Sequence, residues 1–108
     1  MKVSRGEALQ EFKKNIPLLD ALSDERRQQI MITLGESEHG MTVTKLTEVI
    51  NISQPAISHH LKQLKELGLV SVQRDGTSNI YSLTIGAMID QVQHLIDVLR
   101  ADENLWKK

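Results

Sequence analysis

The amino-acid sequence predicts a mainly α-helical protein with one small β-hairpin, arranged as a dimeric winged helix-turn-helix. Two short helical patterns are joined by residues 51–53, and a strand–turn–strand pattern follows over residues 69–83. Helix, short turn, helix and hairpin in this order make up that architecture. The length of 108 residues suits a single domain, so we expect residues 1–108 to form one unit.

Apolar side chains at helical spacing predict a first helix over residues 5–15. The apolar positions are Leu9, Phe12 and Ile16. Pro17 interrupts the pattern or begins a new turn, because its nitrogen has no hydrogen to donate. A second short helix is expected to continue to residue 22.

Two further helices lead to the centre of the chain. Ser23 is expected to cap a helix over residues 24–36, with acidic residues in its first turn. Its buried face is predicted to hold Ile30, Met31 and Leu34. Thr44 is expected to cap a short helix over residues 45–51, with Leu46, Val49 and Ile50 buried.

The segment SQPAISHHLKQLKELGLV gives the most detailed prediction. Ser53 is a good helix cap, Pro55 is tolerated in the first turn, and Gly68 suits the position after a helix end. A helical wheel at about 100° per residue predicts that Ile57, Leu61 and Leu64 are buried. The opposite, exposed side holds His59 with Pro55, Lys62 and Glu66, while Gln54 and Ser58 lie on one flank and His60 on the other, nearer the core.

The adjacent histidines therefore have different expected roles. Side chains of neighbouring helical residues diverge by about 100°, so His59 and His60 cannot chelate one metal ion well. Neither has a carboxylate or serine at a spacing typical of catalysis. His59 points outward, where it could donate to a base edge or a phosphate; the alternative is an ordinary solvated histidine. His60 is expected to pack on the scaffold with one ring nitrogen hydrogen-bonded.

The hairpin and the last helix complete the chain. Residues 69–74 and 78–83 alternate as strands, and the Asp75-Gly76 pair is a turn signal. A last helix is predicted from residue 84 or 86 to about residue 104. Its apolar positions are Met88, Val92, Leu95, Ile96 and Leu99. The apolar stripes of the first and last helices exceed what one small core needs, which predicts a homodimer built from these two helices.

Composition excludes several classes of protein. The chain has no cysteine, which rules out disulfides, cysteine–zinc sites and thiol chemistry. No apolar run is long enough for a membrane span, and residues 1–12 lack the apolar core of a secretory signal, so we expect a cytoplasmic protein with no membrane partner. The net charge is −1, and a strongly basic patch for nucleic acid is missing.

These residues resemble the ArsR/SmtB family of dimeric winged-helix transcriptional repressors. The resemblance covers residues 19–83 and rests on LSDERR, on the SQPAISHHLKQLKELGLV segment and on RDGTSNIYSL. It implies a repressor that binds an inverted-repeat operator in double-stranded DNA as a homodimer, with the first and last helices as the dimer interface.

The resemblance also implies which residues contact DNA. The predicted set is Ser53, Gln54, Pro55, Ser58, His59, Lys62, Arg74, Gly76 and Thr77. The hairpin departs from the family pattern, which often has a basic residue and then an aromatic one after the glycine. This chain has Thr77 and Ser78 there, so we expect weaker phosphate binding by the hairpin.

Metal ligands known from the family are missing at the matching positions. Thr42 and Thr44 replace a cysteine pair, and a protonated hydroxyl is a poor ligand for soft metals. A four-ligand set on the last helix is replaced by Ile85, Ala87, Val98 and Ala101. The sequence therefore predicts no metal and no cofactor, and leaves an unknown small-molecule effector open.

One feature of the last helix and one of the segment after it have more than one interpretation. Asp90, His94 and Asp97 share one helical face, which is either a weak site for a divalent ion or a solvated surface. Trp106 could line a small-molecule site or a partner surface, cap the dimer interface, or fray with the tail.

The main alternative function is a winged-helix module for protein–protein contact without operator binding, which the near-neutral charge permits. No nucleophile–base pair, phosphate-binding loop or metal cluster indicates an enzyme.

Overall fold

The computed structural model describes residues 3–107, which form six α-helices and one antiparallel hairpin. A single 3₁₀ turn, Glu103–Leu105, follows the last helix. The elements in chain order are α1 (Arg5–Lys14), α2 (Ile16–Leu22), α3 (Glu25–Glu36), α4 (Val43–Val49), α5 (Gln54–Glu66), β1 (Val70–Asp75), β2 (Ser78–Leu83) and α6 (Gly86–Ala101). The predicted mainly α fold with a small hairpin is therefore confirmed.

The helix caps differ from the predicted ones by one or two residues. Ser23 ends α2, and the cap of α3 is Asp24, whose Oδ1 accepts from the backbone N–H groups of Arg26 and Arg27 at 2.9 and 3.1 Å. The cap of α4 is Thr42 rather than Thr44, and its hydroxyl accepts from the N–H of Lys45 at 3.1 Å. The predictions for Ser23 and Thr44 were wrong because serine, threonine and aspartate cap helices about equally well.

The core lies where α3, α4 and α5 meet the first strand. Its fully or nearly fully buried side chains are Leu18, Ala21, Ile30, Met31, Leu34, Leu46, Ile50, Ile57, Leu61, Leu64, Leu69 and Val70. Leu46 and Ile50 are buried as predicted, but Val49 is 56% exposed, so that prediction was wrong. Val49 is the last residue of α4, and Ile50 already has an extended backbone, with φ −108° and ψ 125°, so Ile50 turns into the core away from the helical face that would have carried Val49 with it.

The hairpin turns through Gly76 and Thr77, because Asp75 already pairs with Ser78. Gly76 has a φ of 63°. Positive φ at the first of two loop positions is typical of a type II′ turn, which matches the twist of the strands. A bridge between Met41 and Tyr81 ties the loop before α4 to β2.

The last helix ends at Ala101, three residues before the predicted end. The side chain of Asp102 accepts from the backbone N–H of Asn104 at 3.2 Å and begins the 3₁₀ turn. Within residues 3–107, no helix is both long enough and apolar enough to cross a membrane.

Candidate nucleic-acid interface

The local sequence determines how α5 begins and ends. The Ser53 hydroxyl accepts from the N–H of Ala56 at 3.3 Å, and Pro55 occupies the first turn. Gly68, with a φ of 75°, follows the C-cap residue Leu67 and donates its N–H to the carbonyl of Lys65 at 3.0 Å. Both predicted ends of this helix are confirmed to within one residue.

The two sides of α5 differ sharply in exposure. Ile57, Leu61 and Leu64 are all 0% exposed. The opposite side is open to solvent and carries the polar side chains expected to reach DNA. These exposed residues are Ser53, Gln54, Pro55, Ser58, His59, Lys62 and Glu66. The orientation from the helical wheel is confirmed, whereas the DNA contacts themselves stay a prediction.

His60 lies between these two sides and contacts α3. Arg27 Nε donates to His60 Nδ1 at 3.4 Å, and Arg27 Nη1 donates to the carbonyl of Asp20 at 3.2 Å. The Arg27 side chain is only 15% exposed. Burial, the largest influence, lowers the pKa of His60, and the positive charge of Arg27 acts in the same direction while Asp24 opposes both. The predicted hydrogen bond to one ring nitrogen of His60 is confirmed.

The tip of the hairpin offers little positive charge. Arg74 is exposed, but its Nε donates to the carbonyl of Gly76 at 3.2 Å, which folds the side chain back on the turn. Gly76 and Thr77 are exposed beside it, and Asp75 adds a negative charge. The tip can therefore supply polar contacts to a phosphate but no cluster of cations.

A second surface is apolar and lies on α1, at the start of α2, on α6 and on the turn after α6. Its exposed large side chains are Leu9, Phe12, Ile16, Ile89, Ile96, Leu105 and Trp106. Phe12, Ile96, Leu99, Leu105 and Trp106 line a hollow of about 490 Å³ together with Arg100. Trp106 is held in place there, because its Nε1 donates to the carbonyl of Arg100 at 3.0 Å and its ring packs against that guanidinium. We call these residues the α1/α6 face.

The proposed divalent-ion face does not form a cluster. Asp97 accepts from Gln93 Nε2 at 2.8 Å, and His94 Nδ1 lies 2.7 Å from Glu11 Oε1 on α1 instead of facing Asp97. Between Val3 and Lys107, no three His, Asp or Glu side chains gather closely enough to hold a metal ion. The Thr42 hydroxyl at the cysteine-equivalent position serves as a helix cap, a structural use that needs no metal.

Two charged residues of the interior were missed from the sequence. Arg27 stands at helical spacing with Ile30, Met31 and Leu34, so it interrupts the buried stripe of α3. Glu11 lies on the buried side of α1, between Ala8 and the fully buried Asn15. A charged residue at an otherwise apolar helical position was the available signal for Arg27. Glu11 had no such signal, because the apolar stripe of α1 points the other way.

Comparison with known proteins places residues 24–72 in the family model described as bacterial regulatory protein, arsR family. The chain is similar to the transcriptional activator HlyU of Vibrio cholerae, with 35% identity over 94 residues that cover 81% of this chain and 85% of HlyU. It is also similar to the transcriptional repressor SdpR of Bacillus subtilis, with 33% identity over 84 residues that cover 78% and 91% of the two chains.

A solved structure supports the same fold. An ArsR-like transcriptional regulator from Rhodococcus sp. RHA1 superposes with a TM-score of 0.73 and covers 83% of this chain and 81% of its own. At 24% sequence identity, that likeness shows the winged helix-turn-helix fold alone.

Proposed function

The chain belongs to the ArsR family of bacterial regulatory proteins, which are DNA-binding transcriptional regulators and not enzymes, and from this premise we propose that it is a repressor acting as a homodimer on an inverted-repeat operator. The proposal rests on one observation above all. Helix α5 is fully buried along Ile57, Leu61 and Leu64, and its opposite, exposed side is polar apart from Pro55. We call α5 the recognition helix below.

The chemistry of the exposed side suits base readout. Gln54 can hydrogen-bond an adenine with its amide, and His59 can donate to a base acceptor in the major groove. Ser53, Ser58 and Lys62 add hydroxyl and ammonium groups that suit phosphate oxygens. Because Ser53 already uses its hydroxyl oxygen as the helix cap, it keeps its hydroxyl hydrogen for donation.

The α1/α6 face supports the homodimer. Leu9, Phe12 and Ile16 are 53%, 44% and 59% exposed, although Leu9 and Phe12 form the apolar stripe of α1 and Ile16 continues it as the first residue of α2. Exposing a contiguous apolar surface to water is unfavourable by about 25 cal/mol for each Å². A second copy of the chain, related by a two-fold axis, would cover this face and present two recognition helices to two half-sites.

Because the surface expected to face DNA carries few positive charges, we expect phosphate contacts to make a modest contribution to affinity. The net charge is −1, and the hairpin tip carries a single arginine that bonds its own turn. Fewer phosphate contacts give a shallower dependence of affinity on salt. Specificity should therefore come mainly from Gln54 and His59.

We propose that the chain represses by occupying its operator in the cytoplasm, without a metal inducer. The positions that match the family's metal ligands hold Thr42, Thr44, Ile85, Ala87, Val98 and Ala101. A small-molecule effector would have to bind elsewhere, and the hollow beside Trp106 is the apolar candidate on the α1/α6 face.

The test begins with selection of a duplex from a random library by the purified chain. Binding to the selected duplex is then measured by fluorescence anisotropy for His59→Ala, Gln54→Ala and the control Glu25→Ala on α3. His59→Ala and Gln54→Ala should each lose about 1–3 kcal/mol on the selected duplex and little on a scrambled one. Wild-type affinity in both variants would show that the assigned side of the recognition helix is wrong.

A module for protein–protein contact is the second candidate, which the net charge of −1 permits. It predicts that no sequence is enriched in the selection and that the selected and scrambled duplexes bind equally weakly.

A further inference from the structure

The recognition helix is attached to α3 by a polar contact as well as by its apolar side. Arg27 is the centre of this contact: its Nε donates to His60 Nδ1 at 3.4 Å and its Nη1 donates to the carbonyl of Asp20 at 3.2 Å. Three helices therefore meet at one guanidinium, since Asp20 lies on α2, Arg27 on α3 and His60 on α5. We call this group the Arg27 junction.

The junction orients α5 in a way that its apolar side cannot. The apolar attraction that holds Ile57, Leu61 and Leu64 has no directional preference of its own, so it fixes the depth of α5 in the core more strictly than the angle of any one polar side chain. A hydrogen bond requires a narrow range of distance and angle. His60 directly follows His59, so a rotation of α5 that broke the Arg27 contact would also move the exposed His59 side chain.

We propose that Arg27 and His60 are positioning residues for DNA recognition: they fix the rotation of the recognition helix, so that sequence-specific binding depends on a neutral His60 ring that accepts from Arg27. The inference rests on the proposed function, because it concerns how the same surface reads a sequence. Neither residue needs to touch DNA for this role.

The chemistry of the pair makes the contact sensitive to protonation. A neutral His60 with its hydrogen on Nε2 offers Nδ1 as an acceptor, whereas a protonated ring has N–H groups on both nitrogens and can accept nothing. Protonation would also place a second positive charge against Arg27. The charged and titratable groups around His60 are Asp24, which favours protonation, and Arg26, Arg27 and His59, which oppose it.

The direction in which the Arg27–His60 contact changes with pH follows from these surroundings. Burial, the largest influence, lowers the pKa of His60 below its ordinary value of 6.5. The contribution of the neutral ring is therefore present above 6.5 and is lost as the pH falls through the folded pKa. Binding at neutral pH should use the intact junction.

The experiment uses the duplex selected by the wild-type chain and a scrambled duplex of the same length, at fixed salt. The variants are His60→Ala, which removes the acceptor, and His60→Asn, which places an amide oxygen near the position of Nδ1 and does not titrate. Arg27→Ala removes the donor. Arg26→Ala is the matched control, since it deletes the neighbouring exposed arginine of the same helix.

At pH 7.5 we expect His60→Ala and Arg27→Ala to lose about tenfold in affinity for the selected duplex, equivalent to one lost hydrogen bond of about 1.4 kcal/mol. Binding to the scrambled duplex should change less than about twofold, because phosphate contacts remain. His60→Asn and Arg26→Ala should stay within about threefold of wild type on both duplexes. Equal losses in Arg27→Ala and Arg26→Ala, or in His60→Asn and His60→Ala, would overturn the proposal.

A pH comparison separates positioning from mere support of the fold. Between pH 7.5 and 5.5 the wild-type preference for the selected duplex should fall about fivefold more than that of His60→Asn, because only the wild type carries the His60 ring that gains a proton. Both proteins are compared at temperatures where circular dichroism shows them folded, so the result stands even if Arg27→Ala does not fold. Parallel pH profiles in the two proteins would contradict the proposal. Failure to select any duplex would instead contradict the proposed function itself.

Discussion

Helices α5 and α1 are both amphipathic, but they face opposite ways relative to the core of their own chain. The recognition helix buries Ile57, Leu61 and Leu64 completely and exposes its polar side. Helix α1 buries Glu11 and its C-cap residue Asn15, and leaves its large apolar residues Leu9 and Phe12 about half exposed. The apolar side of α5 is therefore covered within one chain, whereas the apolar side of α1 has the pattern of a helix that requires a partner.

The buried polar side of α1 has its own partners on α6. Glu11 accepts from His94 at 2.7 Å, and Asn15 Oδ1 accepts from Gln91 Nε2 at 3.1 Å. These bonds hold α1 against α6 without using the apolar stripe. The two helices are thereby fixed side by side with Phe12 and Ile96 facing outward, which is the arrangement that an interface between two copies needs.

The largest effect should come from a substitution on the buried side of α5. Leu61→Ala leaves a cavity in the core and should lower the free energy of unfolding by about 2–5 kcal/mol. Leu67→Ala, at the exposed end of the same helix, should cost less than about 1 kcal/mol. Urea unfolding at one fixed protein concentration measures both. Similar losses would mean that the core does not lie where α5 meets α3 and α4.

A charge on the α1/α6 face should separate the proposed dimer. Phe12→Glu would place an unpaired carboxylate in a water-excluded interface, which costs several kcal/mol, so dimerisation should weaken by more than about 100-fold. Ile32→Glu on α3 is the control, because Ile32 is 63% exposed and lies outside this face. Sedimentation equilibrium should show a monomer for the first variant and a dimer for the second. A wild-type chain that is already monomeric at micromolar concentration would refute the interface.

Acid should weaken the contact between α1 and α6. The hydrogen bond from His94 holds the pKa of Glu11 below its ordinary value of 4.5, with the positive charges of His94 and Lys14 adding to it and burial opposing it. A lowered folded pKa gives stability that is present above 4.5 and lost as the pH falls through the folded pKa.

Thermal melts of wild type and Glu11→Gln measure this effect. The wild type should be the more stable at neutral pH, and the difference should shrink as the pH falls below 4.5 and through the lowered folded pKa of Glu11. Asp97→Asn, which removes an exposed carboxylate of α6, should leave the pH profile as in wild type. A difference between wild type and Glu11→Gln that stays constant across this pH range would show that the ion pair is not responsible.

The smallest effect is expected from metal. One equivalent of zinc should change affinity for the selected duplex by less than about threefold, a shift below about 1 kcal/mol. The reason is that the positions matching the family's metal ligands hold no side chain that would bind zinc more tightly in one state of the protein than in another. A DNA titration with and without zinc at fixed salt tests this. A tenfold loss that a chelator reverses and that His94→Ala abolishes would show a metal site on α6.

The sequence predicted α5 well because its signals are local. A serine cap, a proline in the first turn and a glycine after the last turn define its ends, and three apolar residues define its buried side. The cap of α3 was misplaced because Ser23 and Asp24 are equally suitable neighbours. The end of α6 was placed too late because the cap at Asp102 interrupts a sequence that is otherwise compatible with a helix.

The polar contacts between helices could not be predicted in this way. Arg27 and His60 are 33 residues apart, and Glu11 and His94 are 83 residues apart. Helical periodicity indicates which side of a helix is apolar, but it does not say whether the chain's own core or a second chain covers that side. For α1, that ambiguity hid the buried carboxylate.

The central claim is that two copies, joined through the α1/α6 face, read two inverted half-sites with their recognition helices. Native mass spectrometry of the chain with its selected duplex tests this claim most directly. We expect two chains on each duplex and inverted half-sites whose centres are about 10 base pairs or a multiple apart. We also expect Phe12→Glu to abolish the two-chain complex while Ile32→Glu preserves it. A single chain bound to an asymmetric site, or a two-chain complex unaffected by Phe12→Glu, would contradict the account.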